Sequence, residues 1–276
     1  MKIDYTFHSH TFRCGHAIGD IPDYVSRAIN NGLKIYGVSD HVFLPGIHET
    51  WVRGEYELLD QYIDVFKDTK AKYGKDIEMH LGFECEYCEK FKDYYFSLLK
   101  EKGFDYLICG QHFYYDQEGV RHPYSSTYKK GIIRGIAEYR RDIIAAMKSG
   151  LFLYIAHPDL FFCSTTKVTP MYKKQTKKII EAALKYDVAL EINVHGLLRN
   201  RHRKGKLFID YPCEYFWKEV AKTNVKVVVG YDFHYPEEIG DPKLAEKLEK
   251  FIKKCKIKLS DIREIYQNYR NRIEKL

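Results

Sequence analysis

The chain has 276 residues, 45% hydrophobic and 30% charged, with 18 glycines and 8 prolines, which excludes a disordered, collagen-like or low-complexity protein. That length suits one large α/β domain spanning residues 1–276, since barrels of this class run to ~250 residues as a single unit. Lys and Arg number 45 against 38 Asp and Glu, a net +7 that fits an anionic substrate and argues only weakly for a nucleic-acid partner.

Met1-Lys2-Ile3-Asp4 leads straight into a strand-like stretch, where a secretory signal would show a basic and then an apolar run. No apolar run approaches the ~20 residues of a membrane span, so no membrane association is expected. The seven cysteines are an odd number in a large chain, which points to reduced thiols and a cytoplasmic protein. Cys85-x-x-Cys88 lacks the second pair that a zinc knuckle requires and reads as thiols in and beside a buried strand.

Short strands rich in Ile, Val, Leu, Tyr and Phe are predicted at Ile3–Phe7, Lys34–Ser39, Glu78–Phe83, Tyr106–Cys109, Phe152–Ala156, Ala189–Val194 and Val225–Val229. Helices are predicted between them. Ile21–Asn30 stops at Asn31-Gly32, Glu55–Lys72 at Tyr73-Gly74, and Tyr128–Lys148 at Ser149-Gly150. Met171–Tyr186 is amphipathic with a basic face, and Ser260-Asp261 starts a terminal helix. Strand and helix in alternation imply a parallel sheet with right-handed crossovers. Neither G-x-G-x-x-G nor G-x-x-x-x-G-K-[ST] occurs, so a closed barrel is preferred to an open doubly wound sheet.

The polar residues fall where each strand ends. The strands run into His8-Ser9-His10, Asp40-His41, Glu84, Gly110-Gln111-His112, His157-Pro158, Glu191-Ile192-Asn193-Val194-His195 and Asp232-Phe233-His234. In a barrel all of these ends meet at one face, the face that carries active sites. Imidazoles and carboxylates gathered there suit zinc, manganese or iron. His8 and His10 share a side by the period-two rule, as do Asp232 and His234. Core histidines with satisfied hydrogen bonds are the plainer account, but that account leaves their placement after strands unexplained.

His8-Ser9-His10-Thr11 followed by Cys14-Gly15-His16-Ala17 resembles the opening motif of the polymerase and histidinol phosphatase (PHP) superfamily. Supporting motifs are Gly37-Val38-Ser39-Asp40-His41, Gly82-Phe83-Glu84-Cys85-Glu86, Gly110-Gln111-His112, Ala156-His157-Pro158-Asp159, Glu191-Ile192-Asn193 and Asp232-Phe233-His234. More narrowly, the chain is similar to the monofunctional histidinol-phosphate phosphatases, over residues 3 to about 240. The resemblance implies a distorted (β/α)7 barrel, TIM-barrel-like, with three divalent metal ions (zinc, manganese or iron). By that resemblance His8, His10 and Asp232 hold the first ion, and Glu84 bridges to a second held by His112 and His157. His16, His41 and His234 hold the third. The implied reaction is hydrolysis of L-histidinol phosphate, a small phosphate monoester, by a hydroxide shared between two metals; the alternative is another phosphoesterase of the superfamily, acting on a nucleotide, a sugar phosphate or phosphotyrosine.

Other residues carry open expectations. Asp40 orients a ligand imidazole or gives a proton to the leaving alkoxide, and the first role is preferred. Arg199, in the basic run that follows strand six, is the first choice to grip the phosphate, with Arg13 second. His195 departs from the small residue of the phosphatase branch. With Glu86 or Asp159 it is a candidate to meet the imidazole end of the substrate. His80 is expected to be packed, His48 and His122 to be surface residues, and Trp51, Tyr114, Tyr115 and Tyr124 to stack on a ring or pack the barrel mouth. Lys173-Lys174 and Lys177-Lys178 read as an exposed helix face and not as a nucleic-acid site.

Overall fold

The computed structural model describes residues 3–115, 121–123, 132–198, 202–203 and 206–276. Among these, seven parallel strands form a nearly closed barrel in chain order: β1 (Tyr5–Thr6), β2 (Ile35–Val38), β3 (Glu78–Cys85), β4 (Tyr106–Gly110), β7 (Tyr154–Ala156), β8 (Ala189–Asn193) and β11 (Val227–Gly230). Pairs such as Tyr36 with Met79 and Phe83 with Leu107 set the register. Two antiparallel hairpins, β5 (Phe113–Tyr115) with β6 (Arg121–Pro123) and β9 (His202–Arg203) with β10 (Lys206–Leu207), were not expected. The strands β2, β4, β7, β8 and β11 are buried at every residue, because helices cover the outside while side chains fill the inside.

The helices are α1 (Ile21–Asn30), α2 (Leu59–Tyr73), α3 (Lys92–Lys100), α4 (Ile132–Ser149), α5 (Pro170–Tyr186), α6 (Glu214–Val220), α7 (Pro242–Cys255) and α8 (Ile262–Lys275). The bounds of α1 are those expected, since Asp20 and Asp23 close a capping box around Pro22. The predicted helix from Glu55 begins instead with a 3-10 turn at Tyr56–Leu58 before α2. Helices α3, α6 and α7 were not foreseen. No helix among the described residues is long and apolar enough to cross a membrane.

Helix α8 seals the end of the barrel where the strands begin. There Leu107 N donates to the Tyr269 hydroxyl at 3.2 Å, and that hydroxyl donates to Leu151 O at 3.0 Å. Arg270 and Arg272 donate to Asp105 O and Phe152 O at 2.7 and 2.8 Å. Backbone groups with no ladder partner are satisfied in this way. His80 lies at the same end, bonded to Glu78 at 2.7 Å and to Tyr266 at 2.9 Å, the packed role expected of it. His48 is exposed beside Glu55 and His122 is half-buried. Lys173, Lys174 and Lys177 lie exposed on α5, as an outer helix face should.

The barrel closes only at the other end. Between β11 and β1 the described residues show one bridge, Ser9 with Phe233. Asp232 N donates to His8 O at 2.9 Å, and His10 N to Phe233 O at 2.8 Å.

Candidate metal centre

One buried carboxylate lies at the hub of the strand ends. Glu84, 1% exposed, comes from β3. Its Oε2 is 3.5 Å from His8 Nε2, 3.5 Å from His10 Nε2 and 3.0 Å from His41 Nδ1. Its Oε1 is 2.7 Å from His157 Nε2 and 3.7 Å from His112 Nε2. Space for this carboxylate comes from Gly110 on the neighbouring strand, where a Cβ would stand 1.7 Å from Oε1.

Asp232 Oδ1 approaches His10 Nε2 at 3.0 Å and His8 Nε2 at 3.4 Å. The rings of His16 and His234 lie 5.0 Å apart, and those of His16 and His41 lie 5.6 Å apart. Thus all nine residues expected from the resemblance converge at one face. Cys14 joins them unforeseen, as its sulfur falls within 4.8 Å of ligand atoms of His10 and His234. All seven cysteines are free thiols.

Two of these residues hold strained backbone. His157 and Asp232 have φ of +35° and +56°, whereas the other non-glycine residues with positive φ among the described residues, Asp187 and Lys256, cap helices.

Supporting contacts aim the imidazoles. Glu191 Oε2 is 2.8 Å from His8 Nδ1. Asn193 donates to Asp232 Oδ2 at 3.0 Å and accepts from Gly196 N at 2.8 Å. His16 Nδ1 and His234 Nδ1 face the carbonyls of Cys14 and Asp232 at 2.7 and 2.9 Å. A ring nitrogen occupied in this way leaves the other nitrogen directed inward.

Burial and charge compete within the cluster. Burial alone would lower the pKa of His8, but Glu191, Asp232 and Glu84 raise it well above 6.5. His10 faces two of the same carboxylates yet is pushed well below 6.5, by burial and then by His41 and His234. Burial lowers His41 to about 4. Glu84 and Asp232 stay ionised because surrounding imidazoles outweigh the effect of burial. His8 Nε2, His41 Nδ1 and Glu84 Oε2 are buried without a hydrogen-bond partner. Unpaired donor atoms of this kind, converging on one point, fit a divalent cation better than they fit each other.

The remaining candidates divide. Asp40 is fully buried, accepting from Thr11 N and Oγ1 at 2.7 and 2.5 Å, with His10 Nδ1 at 4.0 Å. Burial raises its pKa to about 6 against those two bonds. Glu86, expected to meet substrate, is engaged on both oxygens: Oε1 is 3.2 Å from His112 Nδ1, and Oε2 accepts from Arg53 at 3.0 Å. Asp159 is turned away as well, buried against Cys213 N and Trp217 Nε1. Arg13 is buried in a two-point pair with Asp20 and is not free to grip phosphate. His195 stands at the rim with its side chain 41% exposed, 3.6 Å from Glu238 and with its ring 5.0 Å from that of His234. Trp51 is 63% exposed. Arg199 and Tyr124, and the side chains of Tyr114 and Tyr115, lie outside the described residues.

Glu191, Asn193, Arg53 and Glu238 are the supporting residues that sequence reasoning did not assign. Glu191 and Asn193 were within reach, since they alternate on a strand whose end was already marked.

The PHP domain family matches residues 6–195. A "Probable histidinol-phosphatase" of Deinococcus radiodurans is 25% identical over 236 residues, covering 84% of this chain and 87% of the relative. A "Probable phosphatase" of Aliivibrio fischeri MJ11 is 24% identical over 253 residues, 91% and 86% of the two chains. Among solved structures, hisK of Listeria monocytogenes superposes with a TM-score of 0.71 at 20% identity, covering 86% of this chain and 97% of that one. The histidinol phosphate phosphatase of Lactococcus lactis, solved with zinc, L-histidinol and phosphate, gives 0.66 at 17% identity, covering 93% and 95%. Barrel, cluster and matched residues agree, and the chain belongs to the PHP domain family.

Proposed function

We propose that this protein hydrolyses phosphate monoesters at a centre of three divalent cations, with L-histidinol phosphate as its substrate. The observation that carries the reading is Glu84, one buried carboxylate facing five imidazoles from four strand ends. His8, His10 and Asp232 would hold one cation, Glu84 with His112 and His157 a second, and His16, His41 and His234 a third. Cations bound there supply Lewis acidity and an activated water at neutral pH. The protein's own part is placement: Glu191, Glu86 and backbone carbonyls fix the imidazoles, and helix α8 seals the far end of the barrel against solvent. His195, paired with Glu238, offers a half-exposed polar contact for the imidazole or amine end of the substrate. The substrate itself is supported by the Deinococcus relative and by the Lactococcus neighbour's bound histidinol and phosphate.

The test is steady-state phosphate release from L-histidinol phosphate, p-nitrophenyl phosphate and a nucleoside monophosphate, with manganese- or zinc-loaded protein. A strong preference in kcat/KM for histidinol phosphate, abolished by His10→Ala, is expected. Equal and feeble turnover of all three would keep a metal phosphoesterase and remove the substrate. No turnover with any metal would remove the enzyme.

A further inference from the structure

Arg53 belongs to no motif, yet it is 1% exposed. A guanidinium taken out of water carries a desolvation cost that a packing residue would not, so what it holds must explain its place. Every nitrogen is used: Nε donates to Glu49 Oε2 at 3.1 Å, Nη1 to Val42 O at 2.9 Å and Nη2 to Glu86 Oε2 at 3.0 Å. Val42 directly follows His41. The other oxygen of Glu86 lies 3.2 Å from His112 Nδ1, while His112 Nε2 faces Glu84 Oε1. A continuous polar strut therefore runs from the loop at residues 43–55, through Arg53 and Glu86, to His112.

The same loop also touches the opening motif. A Cβ on Gly15, which has φ of +76°, would meet Thr50 O at 2.2 Å and Trp51 Cα at 3.0 Å. Only glycine allows the loop to lie this close to the backbone between Cys14 and His16. The loop thus presses on the segment carrying His16 with one part and holds His112 with another.

We infer that Arg53 is a positioning residue: by anchoring Glu86 it fixes the tautomer and direction of His112, and so the grip on a cation at Glu84, His112 and His157. The inference rests on the metal-centre reading given above. A carboxylate accepting from Nδ1 leaves the Nε2 lone pair aimed at Glu84, and the anchoring Arg prevents that carboxylate from turning to other partners. A lysine could keep the charge but not the planar fork that reaches three acceptors at once.

The experiment uses the full chain and zinc alone, with stoichiometry and affinities read by competition against a chromophoric chelator. Arg53→Lys, Glu86→Gln and the double variant are compared with the wild type. Metal-free melting reports folding, and ring-nitrogen NMR reports the His112 tautomer. The expected result is one zinc held roughly 10–100-fold more weakly in Arg53→Lys. The same loss should appear in Glu86→Gln and no further loss in the double variant, while metal-free melting, lowered by loss of the buried pair, should still show a folded chain at the assay temperature. Glu49→Gln, which loosens the outer arm of the guanidinium, should weaken the same ion in the same direction and serves if Arg53→Lys does not fold. Wild-type zinc affinities and an unchanged His112 tautomer in a folded Arg53 or Glu49 variant would overturn the assignment. A wild-type chain that takes no zinc would instead remove the centre itself.

Discussion

Gly110→Ala adds one methyl group and tests the centre directly. Gly110 does not use the left-handed backbone region, so alanine introduces no backbone strain of its own. Its Cβ would stand 1.7 Å from Glu84 Oε1, 2.5 Å from Cδ and 2.7 Å from Cγ. Ordinary contact is about 3.5 Å, so the carboxylate must retreat by about 1.8 Å or β3 and β4 must part. Retreat takes Oε1 away from His157, now at 2.7 Å. A displacement of ~1 Å at reacting groups can cost ~100-fold, so a loss of at least this size in kcat/KM is expected. Overpacking of this kind costs about 1–3 kcal/mol, and melting should fall by roughly 2–12 °C. Metal content, phosphate release and melting are the assays. In Gly110→Ala/Glu84→Ala all three clashing atoms are removed, so melting should recover while metal binding does not. A Gly110→Ala protein with wild-type metal content and turnover would refute the reasoning, because Glu84 would then not need its place against β4.

Three further outcomes are expected. Glu191→Gln keeps the shape beside Gly230 but removes the charge that holds His8 Nδ1, and should weaken metal binding or turnover about 10–100-fold, read by chelator competition. Burial lowers the pKa of His80 below 6.5, so the unfolded chain binds a proton that the folded chain resists. Its contribution is therefore complete above 6.5 and is lost as pH falls below that value. His80→Gln should flatten this slope in denaturant melts between pH 5 and 8. Stripping the cations should lower melting, since a ligand at ~100 times its Kd adds about 2.7 kcal/mol per site, worth roughly 5–11 °C in a chain of this size. Identical melting with zinc and with chelator would exclude tight binding to the folded state.

The strand ends were legible because a parallel barrel sends every chain direction to one face, so residues scattered along the sequence become neighbours there. Helix α1 was legible to the residue because local capping chemistry fixes both ends. Less local features escaped. Glu86 was expected in the substrate space by its period-two relation to Glu84, but Arg53 draws its carboxylate to His112, and nothing in a loop's spacing announces a buried arginine. Asp159 follows the His157-Pro158 turn and looked open to substrate. The chain there instead turns into a 3-10 helix that presents it to Cys213 and Trp217. Helix α7 was missed because lysines and glutamates crowd its exposed face and obscure the apolar stripe, and α3 because its nine residues carry Tyr94-Tyr95-Phe96 and Leu98-Leu99, aromatic and apolar runs with no helix start or stop signal.

The open seam between β11 and β1 bears on the order in which the protein can be built. His8 and His10 leave a ribosome more than two hundred residues ahead of Asp232 and His234, on the far side of that seam. The backbone bonds that join Asp232 to His8 and His10 to Phe233 are the clasp of a hoop, and the proposed cation ligands are mounted on both halves of the clasp. Histidines waiting on the nascent chain have no carboxylate from the last strand to meet until nearly all of the barrel has been synthesised. Loading of the two proposed cations whose ligands span the joint would then be an event of completion, and those ions would act as rivets through the hoop's joint rather than as seeds around which the barrel grows.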